Sequence, residues 1–429
     1  SHFNPVVTLV ERVVGGMDRT ADAAVYVGAQ LLGGLAGAAL ANAMFDMPTT
    51  WSTTERATPA HLLAEVVATA GLLLVILSLV RTGRPAIVGP AVGASGNDRD
   101  LHQALEILRQ AGMEIWLCMG SWTGSSLMYC PSKAAVNDWF EALYVECATR
   151  YDVDGLDLTH ARFPKCSVPR GLFACSCDDC AREASALGYD MEAMKAALRS
   201  ALERLHSVDA QLLAQLSRTG AGPFDYLQLL GLQTGVVDWF RFRADLLSAK
   251  LGRFHSAVHA AAAPEFIFGS DTYPASLSMF VGHNHAAWAD FSDFASPLVS
   301  HISSFTGHAF VAWAEELQKV NPGLDEADAL QVVYRVAGYD GMGLPETIAA
   351  YELEHPQRLA HVLPLEELIL RDLRKTRLLL PPQVPSYPII HGEGWPRAAI
   401  DAILRGAEAS GHDGIVWQGT SELVNFPLK

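Results

Sequence analysis

Four short stretches of the 429-residue chain set a carboxylate at the polar end of an apolar run. They are Asp157 in GLDLTHARFP, Asp271 in FGSDTYP, Glu393 in HGEGW and Glu422 in QGTSEL. Glycoside hydrolysis needs two carboxyl groups across one bond, one to protonate the leaving oxygen and one to act as nucleophile or base. Trp122, Tyr273, Trp395 and Trp417 stand at the same ends and offer faces on which sugar rings stack, and His160 and Arg162 follow Asp157 as hydrogen-bonding groups. Singly, each acid is equally well explained by solvation at a strand end and each aromatic by the core. Four such sites in one chain favour a carbohydrate site, with Asp157, Asp271 and Glu393 as the catalytic candidates and Glu422 among the binding ones.

A second group is C-x-C-x-x-C, formed by Cys175, Cys177 and Cys180. Thiolates this close on a loop suit a closed, tetrahedral structural zinc site, which needs a fourth ligand. Cys130, in YCPS, is the first candidate and Cys166 the second. Reduced cysteines without metal, or disulfides in a secreted form, are the competing readings. Cys118 and Cys147 read as core residues, as free cysteines commonly are. His283, His285, His301 and His308 lack an E-x-x-H partner, so hydrogen bonding to a sugar fits His283 and His285 better than metal binding does.

The elements that must position these groups alternate. Residues Leu101, Ala104, Leu105 and Leu108 make a helical stripe, and EIWLCM (114–119) reads as a buried strand. A helix is expected over 134–150, then the strand of Asp157. One long helix is expected through Met194, Leu198, Leu202, Leu205, Leu212 and Leu216. Further strands are expected at 266–269, 298–302, 387–391 and 414–418, between helices such as 236–262 and 366–379. Such alternation means a parallel sheet with covering helices. The fold class is α/β, and the six strands make an incomplete (β/α)8 barrel over residues 95–429, one or two strands short at its start.

The stretch YDVDGLDLTHARFP (151–164) resembles the strand-four motif of barrel glycoside hydrolases of the amylase-like and family-10-like groups, D-G-I-H-L-D-Y-I-R-Y-P. Asp154, Gly155, Leu158, Arg162 and Pro164 match it, while Thr159 stands in place of the family's Asp and Asp157 in place of its His. In the chitinase pattern D-G-x-D-x-D-x-E, Ala161 replaces the essential acid. YCPS with C-x-C-x-x-C resembles the four-cysteine zinc cluster of family-42 β-galactosidases, and that resemblance implies Cys130, Cys175, Cys177 and Cys180 as ligands. In the barrel clan that includes that family, an acid/base follows strand four and a nucleophile ends strand seven. By position this implies Asp157, or a relay through His160, and Glu393. The Thr159 and Ala161 departures keep a non-catalytic sugar-binding barrel as an alternative.

Residues 1–94 differ in kind. They hold five of the 31 basic residues, six of the 47 acidic ones and none of the seven cysteines. Two apolar runs, 21–45 and 61–80, are each about 20 residues or more, the length of a bilayer-spanning helix. Gly33, Gly34 and Gly37 favour close helix contact in lipid. A pair of buried helices in a soluble protein is the competing reading. The opening SHFNPVVT, with Asn4, Pro5 and Val6, resembles the first Asn-Pro-Ala box of the aquaporin and glycerol-channel family, with Val6 in place of Ala. GAQLLGGLAGAALA resembles that family's third membrane helix and HLLAEVVATAGLLLVILSLV its fourth, whose Glu, here Glu65, holds a re-entrant loop. The resemblance implies a half-helix, two transmembrane helices and the start of a third. The family's second box and its filter arginine have no counterpart here, so conduction of water by this chain alone is not expected, and the two halves read as a channel fragment joined to a barrel fragment. A water and small-solute channel protein is the alternative to the glycosidase reading.

A net charge of −16 argues against a nucleic-acid surface, which needs a basic stripe. No basic region followed by a short apolar core marks a signal peptide. The expected partners are a carbohydrate substrate and, through residues 1–94, a membrane. A cytoplasmic location is expected for the barrel by itself.

Overall fold

The parallel sheet starts from β1 (Trp116–Gly120), helix α1 (Ala134–Arg150) and β2 (Gly155–Thr159). The computed structural model describes residues 105–417, except 107, 111–113, 124–128, 168, 354–361 and 391–394, together with residues 25, 28–30 and 33. By its contacts the chain divides into two units, Ser1–Gly89 and Pro90–Lys429. After β2 come α2 (Asp178–Ala186), α3 (Met191–Ser207), α4 (Ala210–Arg218), α5 (Pro223–Leu229) and the long α6 (Thr234–Ala261). Then follow β3 (Ile267–Thr272), β4 (Ala295–Pro297), α7 (Ile302–Val320), α8 (Glu326–Ala337) and α9 (Leu365–Leu379). The last elements are β5 (Ile389–Ile390), α10 (Arg397–Ala409) and β6 (Val416–Trp417).

β1 to β4 pair in sequence order, all parallel, and β5 pairs with β6 in parallel. The segment before β5 runs beside β4: Ala295 N–H donates to Pro385 O at 2.9 Å and Tyr387 N–H to Ala295 O at 2.8 Å. The chain from Trp116 to Trp417 is thus an α/β structure with a four-stranded and a two-stranded parallel sheet.

Side chains alternate across β2 as a strand requires. Leu156 and Leu158 are fully buried in a cluster with Phe140 and Tyr144 of α1, Phe254 of α6 and Phe268 of β3. Asp157 and Thr159 take the other face. Helix α6 buries Trp239, Phe242, Leu246, Leu247, Leu251, Phe254 and Val258, a stripe at three- and four-residue spacing. Asp190, Asp209 and Asp325 cap α3, α4 and α8 by accepting from backbone N–H groups of the first turn. At the start of the sheet Asp154 accepts from Ile115 N–H at 2.6 Å and from Arg109 Nη1 at 2.9 Å, so the acid that opens the strand motif fixes β2 against the chain entering β1.

The structure differs from the sequence reading in three places. The strand expected over 298–302 is instead Ala295–Pro297, followed by a 3-10 turn (Val299–His301) and α7. Leu298 and Val299 are apolar because that turn is buried, not because it is a strand. The single helix expected from Met194 to Leu216 is two, because Val208 is extended and Asp209 starts a new helix, and Leu202 and Leu212 are exposed rather than core. β5 and β6 are only two residues long each. Among the described residues no helix is long and apolar enough to cross a membrane. Apart from residues 25, 28–30 and 33, the two apolar runs and the half-helix expected within 1–94 lie outside the described residues.

The β2–β3 pairing is close enough to need glycine at its first position. A Cβ on Gly155 would lie 2.6 Å from Ile267 Cγ1 and 2.8 Å from Ile267 O. The backbone oxygen cannot swing aside as a side chain can. Gly155→Ala is therefore expected to lower unfolding free energy by about 1–3 kcal/mol. A urea midpoint equal to that of the wild type would show that the strands yield without cost.

Candidate active site on the sheet

Parallel pairing aligns Asp157 of β2 with Cys118 of β1 and Gly269 of β3, and aligns Asp271 of β3 with Ser296 of β4. Asp271 is two residues beyond Gly269, so both carboxylates fall on one face of the sheet. Thr159 Oγ1 donates to Asp271 Oδ2 at 2.7 Å, and Ser296 Oγ donates to Asp157 Oδ2 at 2.9 Å. The other oxygen of each carboxylate, Oδ1, is buried and has no hydrogen-bond partner among the described residues.

Two acids so placed do not both ionise readily. Burial, then the charge of Asp271, pushes Asp157 up to about 7. Burial pushes Asp271 up to about 6, partly offset by Thr159 and by the charge of Arg162. Near neutral pH the pair holds about one proton, and as interacting groups they titrate jointly. One protonated and one ionised carboxyl group is the complement that acid-assisted displacement needs.

His160 ends β2 with a left-handed backbone, φ 61°. Its carbonyl accepts from Thr123 Oγ1 at 3.0 Å, and its Nδ1 lies 3.1 Å from Thr159 Oγ1. With Thr159 donating to Asp271, Nδ1–H of His160 donates to Thr159. The hydrogen-bonded chain from His160 thus runs through Thr159 to Asp271. Burial, then Arg162 and Lys165, pulls His160 down to about 4, so the imidazole is neutral near pH 7. Arg162 is buried with its guanidinium 5.3 Å from the Tyr273 ring centroid and Nη1 donating to Phe163 O at 3.2 Å. It acts on the site through its charge on Asp271.

The chain after β2 lines one side of a groove of about 500 Å³, through Lys165 and Ser167, and α7 lines the other through Phe305, His308 and Glu315. Lys165 lies 5.2 Å from the Phe305 ring centroid.

Several expected contacts are placed elsewhere. Trp122 has no exposed surface, donates to Asn137 Oδ1 at 2.9 Å and packs on Phe254. Tyr273 is equally buried, stacked on Phe305 with its hydroxyl 3.5 Å from Cys166 Sγ. Neither ring offers a face to a sugar, since core packing uses both. Trp395 and Trp417 are half-buried against the core. His283 accepts from Tyr273 N–H at Nδ1 and donates from Nε2 to Ala161 O, so both ring nitrogens are engaged and none remains for a sugar. His285 is buried against Trp288. Cys118 is exposed rather than core, and Cys147 is buried. Glu393, Glu422, Asn4, Pro5, Val6 and Glu65 lie outside the described residues. Ser296 went unnoticed in the sequence, where nothing but the register of β4 distinguishes it.

Cys130, Cys175, Cys177 and Cys180 do converge, their sulfurs all within 4.8 Å of one another. Cys130 Sγ lies 3.4 Å from Cys180 Sγ and 3.8 Å from Cys177 Sγ, and Cys177 Sγ lies 3.7 Å from Cys180 Sγ. All four are free thiols, and Cys166 is apart, bonded to Tyr273. The hydrogen bond with Cys180 pulls the Cys130 thiol down, against burial and with help from Ser132. The same bond raises Cys180. Four cysteines so arranged could hold a metal ion.

Comparison with known proteins matches residues 1–96 to the family model of the major intrinsic proteins. Over 88 residues the chain is 46% identical to the aquaglyceroporin AqpS of Rhizobium meliloti (strain 1021). That stretch is 20% of this chain and 37% of the relative's length. Among solved structures, the PgaB (BpsB) glycoside hydrolase domain from Bordetella bronchiseptica is similar with a TM-score of 0.40 and 12% identity, over 76% of this chain and 75% of that one. At that level the likeness defines neither fold nor function.

The raised acids make stability fall with rising pH. The folded state holds a proton on Asp157 up to about 7, whereas the unfolded chain releases it near 3.8. The advantage is complete below pH 4 and lost as pH rises to about 7. Asp157→Asn removes that loss. Its unfolding free energy is expected to exceed that of the wild type at pH 8 by on the order of 2–4 kcal/mol, and to match it near pH 4. Equal midpoints at both pH values would mean that Asp157 is ionised at no cost.

Proposed function

We propose that the chain is a membrane-associated protein of the aquaglyceroporin type through residues 1–96. The observation that carries this reading is the 46% identity over 88 residues. The apolar runs at 21–45 and 61–80 would then be the spanning helices, Asn4 and Pro5 the start of the half-helix and Glu65 its brace. Water and glycerol are the solute class that the relative's name states. The full chain is expected to float with liposomes and to stay with them after alkaline extraction. Release into the soluble fraction would overturn membrane association. Swelling of those liposomes in a glycerol gradient reports conduction separately.

A second reading is favoured by the paired carboxylates. Residues 95–429 form a barrel-type glycoside hydrolase domain, with the strand ends after β2, β3 and β4 carrying the site. Asp157, with the higher affinity for a proton, protonates the leaving oxygen. Asp271, held by Thr159, is the ionised nucleophile or base, and Glu393 is the other candidate for that role. The groove beside Lys165 and Phe305 takes the sugar chain, with Trp395, Trp417 and Glu422 as further contacts. The four thiolates take zinc. Tetrahedral Zn–S bonds of about 2.3 Å imply sulfur separations of about 3.8 Å, and the sulfurs stand 3.4 to 3.8 Å apart in three pairs. The ion would pin the loop after β2 rather than take part in the reaction.

Hydrolysis of a panel of aryl glycosides tests the second reading. Asp157→Asn is expected to lower kcat by about 10²–10⁴-fold, the usual contribution of a positioned acid. Loss in Glu393→Gln with activity kept in Asp271→Asn would move the nucleophile to Glu393. Sugar binding by the wild type without turnover of any substrate would make the domain a binding module.

A further inference from the structure

A third cluster of ligating side chains lies at the opposite end of the strands from the carboxylate pair. Helix α6 carries His255 and His259, one turn apart, in the sequence HSAVH. Four-residue spacing puts both imidazoles on one face of the helix. That face meets Asp293, two residues before β4. His255 Nε2 lies 3.0 Å from Asp293 Oδ1, and His259 Nε2 lies 2.8 Å from Asp293 Oδ2. The three ligand atoms are all within 4.8 Å of one another.

Asp293 is held in place by the backbone. Its Oδ2 accepts from Phe268 N–H at 2.8 Å, and its own N–H donates to Phe268 O at 2.9 Å. His255 is set by an edge contact of its ring with Phe268, 5.9 Å between centroids. All three side chains are about 30% exposed, so an ion has a path in from solvent and water can complete its shell.

We propose that His255, His259 and Asp293 form a binding site for a divalent transition-metal ion, with zinc as the physiological class. The donor set is two imidazole nitrogens and one carboxylate, which suits zinc, cobalt, nickel or copper rather than calcium or magnesium. Zinc bonds of about 2.0–2.2 Å at tetrahedral angles separate neighbouring ligand atoms by about 3.3–3.6 Å. The His–Asp hydrogen bonds, 3.0 and 2.8 Å, are shorter than that, so an ion would enter as the three side chains part by roughly half an ångström, each neutral imidazole then carrying its proton on Nδ1. The ion would clamp α6 to the β3–β4 connection. This role is separate from the four-cysteine cluster, whose donors are all sulfur, and is independent of either reading of function.

The test is titration of the tag-free full chain with Co²⁺ after chelator treatment, followed by absorption spectroscopy. Thiolate-bound cobalt shows strong sulfur charge-transfer bands, and cobalt bound by nitrogen and oxygen shows only weak ligand-field bands. One equivalent is expected without sulfur charge transfer. His259→Ala should weaken it by at least about tenfold, since even loss of an outer-shell partner costs about 10–100-fold. Asp293→Asn keeps an acceptor for Phe268 N–H but loses the charge, and should weaken the same equivalent while the circular dichroism stays that of the wild type. Co²⁺ should also raise Tm more in the wild type than in either variant. Uptake confined to sulfur-type spectra, or a nitrogen–oxygen equivalent unchanged in Asp293→Asn, would overturn the assignment.

Discussion

The site rests on one electrostatic constraint. Asp157 and Asp271 share a face of the sheet, each with one oxygen tied to a hydroxyl and the other buried without a partner. Neither carboxylate has a cation within hydrogen-bonding distance among the described residues. A pair in that setting keeps a proton that a solvated pair would lose. The partners are supplied by register alone: Thr159 is two residues beyond Asp157, and Ser296 is aligned with Asp271. Shifting β2 by one residue would turn Leu156 and Leu158 toward the acids and Asp157 into the core, which is why the pairing must be specified so firmly. Gly155 contributes to that specification, since only a residue without Cβ fits against Ile267.

The loop after β2 is fixed by a different means. Arg243 of α6 is buried and donates to Leu172 O at 2.6 Å and Gly171 O at 3.2 Å, and Trp239 Nε1 donates to Leu172 O at 2.8 Å. The guanidinium lies 4.1 Å from the Phe163 ring centroid. Burial pulls Arg243 down to about 9, still charged at neutral pH. Carbonyl oxygens and a ring face thus take the place of a counter-ion, at the cost of desolvation. The gain is positional: the backbone of 171–172 is anchored three residues before Cys175, so the packing of α6 helps to decide where the cysteines meet. The same helix carries His255 and His259 three turns further on. One 28-residue helix therefore bears on the cysteine cluster near its start and on the β3–β4 connection near its end.

Much of this was legible in the sequence. Strand and helix alternation follows from hydrophobic period, and the cysteine convergence follows from spacing plus the YCPS segment. Asp157 and Asp271 are visible as acids ending apolar runs. What the sequence hides is the direction in which a residue faces. Trp122 and Tyr273 stand at strand ends as a sugar platform would, yet both fill the core, because a large ring next to a polar end reads the same in either role. Leu298 and Val299 read as strand because burial of a turn and burial of a strand need the same residue types. Ser296 carries no signal, since it meets a carboxylate 139 residues away only when β3 pairs with both β2 and β4. HSAVH did carry a signal, the i,i+4 spacing of two histidines, but its third member is 34 residues from His259 and approaches only when β3 and β4 pair.

The two parts of the chain owe their readings to different kinds of observation. The first is read from sequence identity alone, 46% over 88 residues. An α/β sheet tolerates wide substitution so long as burial and alternation are kept, so a likeness at 12% identity says little about chemistry. What a sheet of this kind does depends on a few groups at its strand ends. Here those groups are two acids sharing about one proton, beside a neutral histidine that reaches one of them through Thr159. In the hydrolase site proposed above, a donor near 7 and an acceptor near 6 would exchange roles on one face without large changes in charge. A lone solvated carboxylate would be ionised at the same pH and could serve only as base or nucleophile. The pairing of β2 with β3 therefore sets the carboxylates on one face as well as the geometry of the core.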